Sequence, residues 1–175
     1  MITQFPQDES SVPDEPEGGG ATGHHPSGGK AVPARKQRRW ARERAVQGLY
    51  QQMMNPIPVD QLESQFMEDA FMLRLDLALF RGILRGVGQH AAELDAAIEP
   101  HLDRPISELD PIEHAILQLG AFELMHMLET PRAIVINESV ELAKRFGATE
   151  GHRYVNGVLD RLADQVRAGE PRRRD

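Results

Sequence analysis

The chain contains no cysteine, which excludes disulfides, thiol nucleophiles and zinc sites built on sulfur ligands. Aromatic residues are few, with one tryptophan and two tyrosines. No apolar run approaches the ~18 residues of a membrane span. The opening residues MITQFPQDES lack the basic region and apolar stretch of a secretory leader. Also missing are a glycine-rich phosphate loop, a GxSxG elbow and an HExxH pair. Together these absences predict a soluble cytoplasmic protein, with no cofactor, no metal site and no enzymatic activity.

What is present is a segregated charge. The net charge of -7 conceals 14 acids against four arginines over residues 60–129. Residues 35–44, by contrast, hold six bases and one acid, Glu43. Such a distribution describes a short cationic device on an acidic body, and it bears on partners more than on fold.

Residues 1–34 carry Pro6, Pro13, Pro16, Pro26 and Pro33 with Gly18–Gly20, Gly23, Gly28 and Gly29. So few branched apolar residues cannot offset the entropy of ordering, and a disordered extension is expected there. Residues 35–168 are expected to form the folded domain. Residues 169–175, with Arg172–Arg174, read as a frayed basic tail.

The domain reads as all-α, with six or seven helices in one compact unit. A first helix spans about Ala34 to Met54 and stops at Pro56 and Pro58. Asp60 and Glu63 read as a capping pair for a short helix, 61–69. Leu73, Leu77, Phe80, Leu84 and Val87 form an amphipathic stripe, with a separate helix at 90–99. Within that stripe, Gly82-Ile83-Leu84-Arg85-Gly86 is a small-residue pair suited to close helix packing. Asp110-Pro111-Ile112-Glu113 is a helix start, with a side-chain cap, proline in the first turn and an acid near the positive end. The helix that follows, to about Leu128, is apolar almost all round and should be central. Another helix begins at Thr130-Pro131 and ends at Gly147, read as a left-handed cap. The last runs from Thr149 to about Arg167, with Val155, Leu159, Leu162 and Val166 inward.

Glu123-Leu124-Met125-His126 has the Glu-x-x-His spacing of di-iron bundles, but a second such motif is missing, so no metal is expected. The basic segment is more informative. At ~100° per residue, Arg35, Arg38, Arg39 and Arg42 share one sector of the first helix. Further along, that sector becomes Val46, Leu49 and Met53. The helix is thus cationic where it projects and apolar where it docks. Arginine suits phosphate because its planar fork stays charged and donates two hydrogen bonds. Four or five phosphate contacts give a single-strand salt slope of about -3. Equally, such a run serves as a solvated helix end. Tyr50, ~16 Å along the axis from Arg39, and Tyr154 fit a base-stacking platform as well as a core position.

Four blocks carry a recognisable pattern: RRWARERAVQGLYQ (38–51), LDPIEHAILQLGAFEL (109–124), IVINESVELAKRFG (134–147) and HRYVNGVLDRLA (152–163). In order and spacing they resemble the NusB family of bacterial transcription antitermination factors over about 35–167. The resemblance implies two small helical sub-bundles and a non-enzymatic role. It also implies binding of the boxA element of RNA together with the ribosomal protein NusE, within an elongation complex holding other Nus factors, at ribosomal RNA operons.

Transferred position by position, it makes Arg38, Arg39 and Arg42 the leading RNA contacts, with Arg35 and Lys36 beside them. Glu150 and Tyr154 match positions at the RNA edge, and Tyr50 and Glu113 match the NusE-facing side. Gln118 and Trp40 stand where relatives are often basic, and the long N-terminal extension has no counterpart in shorter members. Two other readings follow from the same residues. One is a fragment of a ribosomal RNA methyltransferase, for which the chain leaves no room for a catalytic domain. The other is a purely protein-binding adaptor whose basic helix only solubilises.

Overall fold

The computed structural model describes residues 31–171. The extension expected at 1–34 therefore lies outside the described residues as far as residue 30, as does the tail from residue 172. The first helix, α1 (Ala34–Met54), begins after Pro33, whose carbonyl accepts the N–H groups of Lys36 and Gln37. It ends at Asn55, before Pro56, because the residue preceding a proline is pushed out of the helical region. Ala41, Ala45, Val46 and Leu49 turn inward.

The second helix, α2 (Val59–Met67), starts two residues earlier than the sequence suggested, with Pro58 at its N-cap. Asp60 and Glu63 do not cap it. Both carboxylates instead hold Arg85, with Asp60 Oδ1 at 2.8 Å and Glu63 Oε2 at 2.9 Å from Nη2. Arg85 thereby holds the Glu63 carboxyl below its ordinary value.

A single-turn segment at Ala70–Arg74 leads to α3 (Leu77–Ile98), whose N-cap is Asp76, accepting from the Leu79 N–H at 3.0 Å. Leu73 therefore lies before the helix and is 74% exposed, not part of its inner stripe. The separate helix expected at 90–99 is the continuation of α3, which runs unbroken until the turn containing Pro100.

The expected start of the next helix holds: α4 (Pro111–His126) is capped by Asp110, which accepts from the N–H groups of Ile112 and Glu113. It ends two residues before Leu128, which is exposed. α5 (Arg132–Phe146) follows Pro131, and α6 (Gly151–Val166) completes the described helices. Val166 is 37% exposed, whereas Val155, Leu159 and Leu162 are buried as expected.

Gly147 is not left-handed. Its φ of -82° and ψ of 175° are extended, and glycine serves there because a Cβ would sit 2.7 Å from the Ala143 carbonyl oxygen. The left-handed residue is Glu150, with φ of 70°, immediately before α6.

α1, α2 and α3 pack as one group and α4, α5 and α6 as another. α4 touches α1, α3, α5 and α6, which makes it central. Two glycines permit the close approach: a Cβ at Gly86 would run into the Phe122 ring, and one at Gly120 would meet Leu159 and the Ser139 hydroxyl. Gly82 faces open space, so only half of the small-residue pair is a packing device.

Charge is also buried at the centre. Arg42 of α1 donates to both carboxylate oxygens of Glu123 on α4, at 2.9 and 2.7 Å, with the two residues 3% and 0% exposed. Burial alone would lower the Arg42 pKa, but its hydrogen bond and attraction to Glu123 outweigh that and raise it. Arg167, just past α6, donates to the carbonyls of Glu123, Leu124, Met127 and Thr130, which closes the C-terminal end of α4. Glu170 accepts from Arg167 and from the Arg132 backbone N–H. The tail expected to fray at 169 is thus fastened at Glu170.

Removing one partner of a buried bidentate pair leaves the other charge without solvent or counter-ion. Arg42→Ala is expected to lower stability by about 3–5 kcal/mol, and Arg42→Met with Glu123→Leu to recover most of that. Urea midpoints on the three proteins check this. Gly86→Ala is expected to cost about 1–3 kcal/mol through overpacking against Phe122, while Gly82→Ala stays neutral or stabilises; the same midpoints serve.

Candidate nucleic-acid interface

The N-terminal half of α1 divides its cations between solvent and carboxylates. Arg35, Lys36 and Arg38 are exposed. Arg35 makes no ion pair among the described residues, and the Arg38 guanidinium lies a loose 3.9 Å from Asp76. Lys36 sits 4.8 Å over the ring of Trp40. That indole also packs edge-on against Phe71 and beneath Arg74, and is 8% exposed.

Arg39 is at the seam with α5. It donates Nε and Nη2 to the two oxygens of Glu138, both at 3.1 Å, and its side chain keeps 38% of its exposure. The Glu138 hydrogen bond is the main reason its pKa lies above the ordinary value.

Arg42 is the correction. Sequence reasoning placed it on the RNA-facing sector, but it is buried against Glu123 and presents no surface for a phosphate. The helical sector rotates into the core one turn earlier than the charge pattern suggests. Arg44 is likewise occupied, donating to Asp69 and Gln47 at 3.1 Å.

At the start of α6 the structure gathers Glu113, Glu150, Gly151 and Tyr154. Glu150 projects from its left-handed backbone and pairs with Arg153 at 2.9 Å. Arg104, from the loop before α4, lies 5.1 Å over the Tyr154 ring and pairs with Asp103 at 2.8 Å. Burial and the neighbouring Asp103 push the Tyr154 hydroxyl above its usual range. The Glu113 side chain reaches over Gly151, where a Cβ would strike its carboxylate oxygen.

Glu113, read from the sequence as partner-facing, therefore stands beside the residues read as RNA-facing and is only 9% exposed. Tyr50 is half-buried near the end of α1, packed on the core. Three residues that shape this surface were not singled out as doing so: Glu138, Glu123 and Arg104. The first two act across long sequence separations, and Arg104 lies in a loop with no periodicity to reveal it.

Burial, then repulsion from Asp110, holds the Glu113 carboxyl above its ordinary 4.5. A raised carboxyl pKa in the native state means its stabilising contribution is complete below the unfolded value and declines as pH rises through the folded one. Glu113→Gln should therefore gain stability relative to the unsubstituted protein as pH goes from about 4 to 7. Thermal midpoints across that range test the sign.

Comparison with known proteins agrees with this architecture. The NusB family model matches residues 39–164. The transcription antitermination protein NusB of Marinobacter nauticus is 50% identical over 137 residues, covering 78% of this chain and 87% of that protein. The NusB of Nitrosococcus oceani is 52% identical over 134 residues, covering 77% and 90%. Among solved structures, T. maritima NusB superposes with a TM-score of 0.66 at 26% identity, covering 73% of this chain and 91% of that one. A structure of NusB and NusE in complex with double-stranded RNA gives 0.65 at 24% identity, covering 74% and 98%, a likeness of fold. With the motif blocks, the helical architecture and these matches in agreement, the chain belongs to the NusB family.

Proposed function

We propose that this chain is a transcription antitermination factor that binds boxA-type RNA together with NusE and supports elongation through ribosomal RNA operons, without catalysing a reaction. Family membership at about half identity over most of the relatives' length supports the role. The observation that carries the RNA assignment is the projecting start of α1, where Arg35 and Lys36 face solvent with no ion pair among the described residues and Arg38 is held only by a loose 3.9 Å contact to Asp76.

Arg39 joins them only by exchanging Glu138 for a phosphate. Glu138 is buried and its carboxylate is bidentate, so this exchange is costly and Arg39 serves better as a conditional contact. Tyr154 beneath Arg104 offers a stacked cation and ring at the start of α6, beside Glu150, whose repulsion of phosphate the paired Arg153 offsets.

Three phosphate contacts rather than five reduce the single-strand salt slope to about -2. Such a grip is weak alone, which favours joint binding with a basic protein. The opposite character is found on α2 and α3. A cleft of about 410 Å³ is lined by Asp60, Glu63, Ser64, Met67, Glu68 and Arg81. Asp60 and Glu63 are engaged there by Arg81 and Arg85, so the complementary potential toward a cationic ribosomal protein rests on the acidic excess of residues 60–129 as a whole.

Labelled boxA RNA titrated with the chain, with and without NusE, tests the proposal. Arg35→Ala with Lys36→Ala and Arg38→Ala is expected to weaken RNA binding at least tenfold and bring the salt slope toward zero, while NusE still binds. Unchanged RNA affinity in that variant would refute the α1 assignment. A wild-type chain that binds NusE but adds nothing to RNA affinity would favour the adaptor reading, which the self-neutralised Arg39, Arg42 and Arg44 otherwise suit.

A further inference from the structure

Where α3 passes the C-terminal end of α4, three side chains with metal-binding chemistry converge. His90 and Glu93 stand one turn apart on α3, and His126 is the last residue of α4. His90 Nδ1 lies 2.8 Å from Glu93 Oε2, and His126 Nε2 lies 3.4 Å from the same oxygen. One donor atom from each residue falls within 4.8 Å of the others.

The rings are arranged, not merely near. The two imidazoles overlap at 4.2 Å between centroids with 31° between their planes. Phe122, one turn before His126, stacks on it at 5.3 Å and 26°, and lies 6.2 Å from His90. This apolar wall limits ring rotation and turns a nitrogen edge of each imidazole toward the carboxylate.

We propose that His90, Glu93 and His126 form a binding site for a single divalent transition cation of the zinc class. Two imidazole nitrogens and one carboxylate oxygen are a standard three-ligand set for Zn²⁺, which takes water or a further ligand in the fourth position. Zinc–nitrogen and zinc–oxygen bonds of about 2.0–2.2 Å place tetrahedral donors roughly 3.3 Å apart. The present spread closes to that by rotation of the exposed Glu93 carboxylate and a small in-plane shift of the His126 ring within its stack. In the bound form each imidazole carries its proton on the nitrogen facing away from the metal: His90 on Nε2 and His126 on Nδ1.

The ligand set differs from the one the sequence offered. Glu123 and His126 have the right spacing on one helix, but the Glu123 carboxylate is committed to Arg42 inside the protein. His126 finds its partners on α3 instead. A cation there would join the body of α3 to the C-terminal end of α4, across the two halves of the fold, a different place from the α1 surface proposed for RNA.

The test uses the full chain carrying His24→Ala and His25→Ala, which removes the one pair of histidines adjacent in the sequence. Zn²⁺ is titrated in competition with a chromogenic chelator. One equivalent is expected to bind. His90→Ala, Glu93→Gln and His126→Ala are each expected to weaken it by at least about tenfold. His114→Ala is the control, because His114 pairs with Asp95 elsewhere on the same two helices; it should bind as the parent does.

Imidazole NMR of the parent chain supplies a readout that does not depend on variant folding: Zn²⁺ should shift the His90 and His126 resonances and leave those of His101, His114 and His152 in place. Binding that is absent, non-stoichiometric or indifferent to all three substitutions would overturn the site, leaving only a hydrogen-bonded triad.

Discussion

The Arg42–Glu123 pair sets the terms for the rest of the molecule. Two ionised groups withdrawn from water face a desolvation cost of several kcal/mol each, and only near-ideal geometry offsets it. Both nitrogens of the fork and both oxygens of the carboxylate are used, at 2.7 and 2.9 Å. That requirement fixes the axial position of α1 against α4 and the rotation of each. An apolar contact tolerates sliding, whereas a bidentate pair does not. The backbone carbonyl of the same Glu123 accepts from Arg167, so one residue of the central helix registers both the first helix and the segment after the last.

This internal commitment divides the basic segment by role. The six cations of residues 35–44 look equivalent as a string, yet their positions on the helix separate them. Arg42 points inward, Arg39 straddles the seam on Glu138, and Arg44 bends to Asp69. Arg35, Lys36 and Arg38 remain available at the projecting end. The cationic strip is therefore shorter than composition suggests and lies at the tip of a rod whose orientation is fixed by a charge of the same type a few residues on.

Local chemistry was legible and long-range chemistry was not. Asp110 and Pro111 announced α4 because a cap acts within three residues of itself, and the all-round apolar character of that helix revealed its central place. Gly86 was readable as a packing device, although Gly82 looked the same in sequence and faces open space. Turn conformation misled, since a glycine after a helix usually adopts the left-handed form. Here close approach to the Ala143 carbonyl explains Gly147, and Glu150 takes the positive φ. The partners of Arg42 and Arg39 lie 81 and 99 residues away, and no periodicity joins them. The surface residues of α1 were legible as a group, but which of them stay at the surface depended on those distant acids.

Trp40 occupies a telling place in this arrangement. It is the sole indole in the chain, nearly buried on α1, with the Lys36 ammonium at 4.8 Å, the Arg74 guanidinium at 5.6 Å and Phe71 edge-on at 4.9 Å. Those charges shift its excited-state energy, so its emission is an intrinsic optical gauge. A ligand that draws Lys36 away alters the spectrum of the folded protein, and loss of the helical packing floods the ring with water and alters it differently. The molecule thus carries a label-free reporter that separates occupancy from melting.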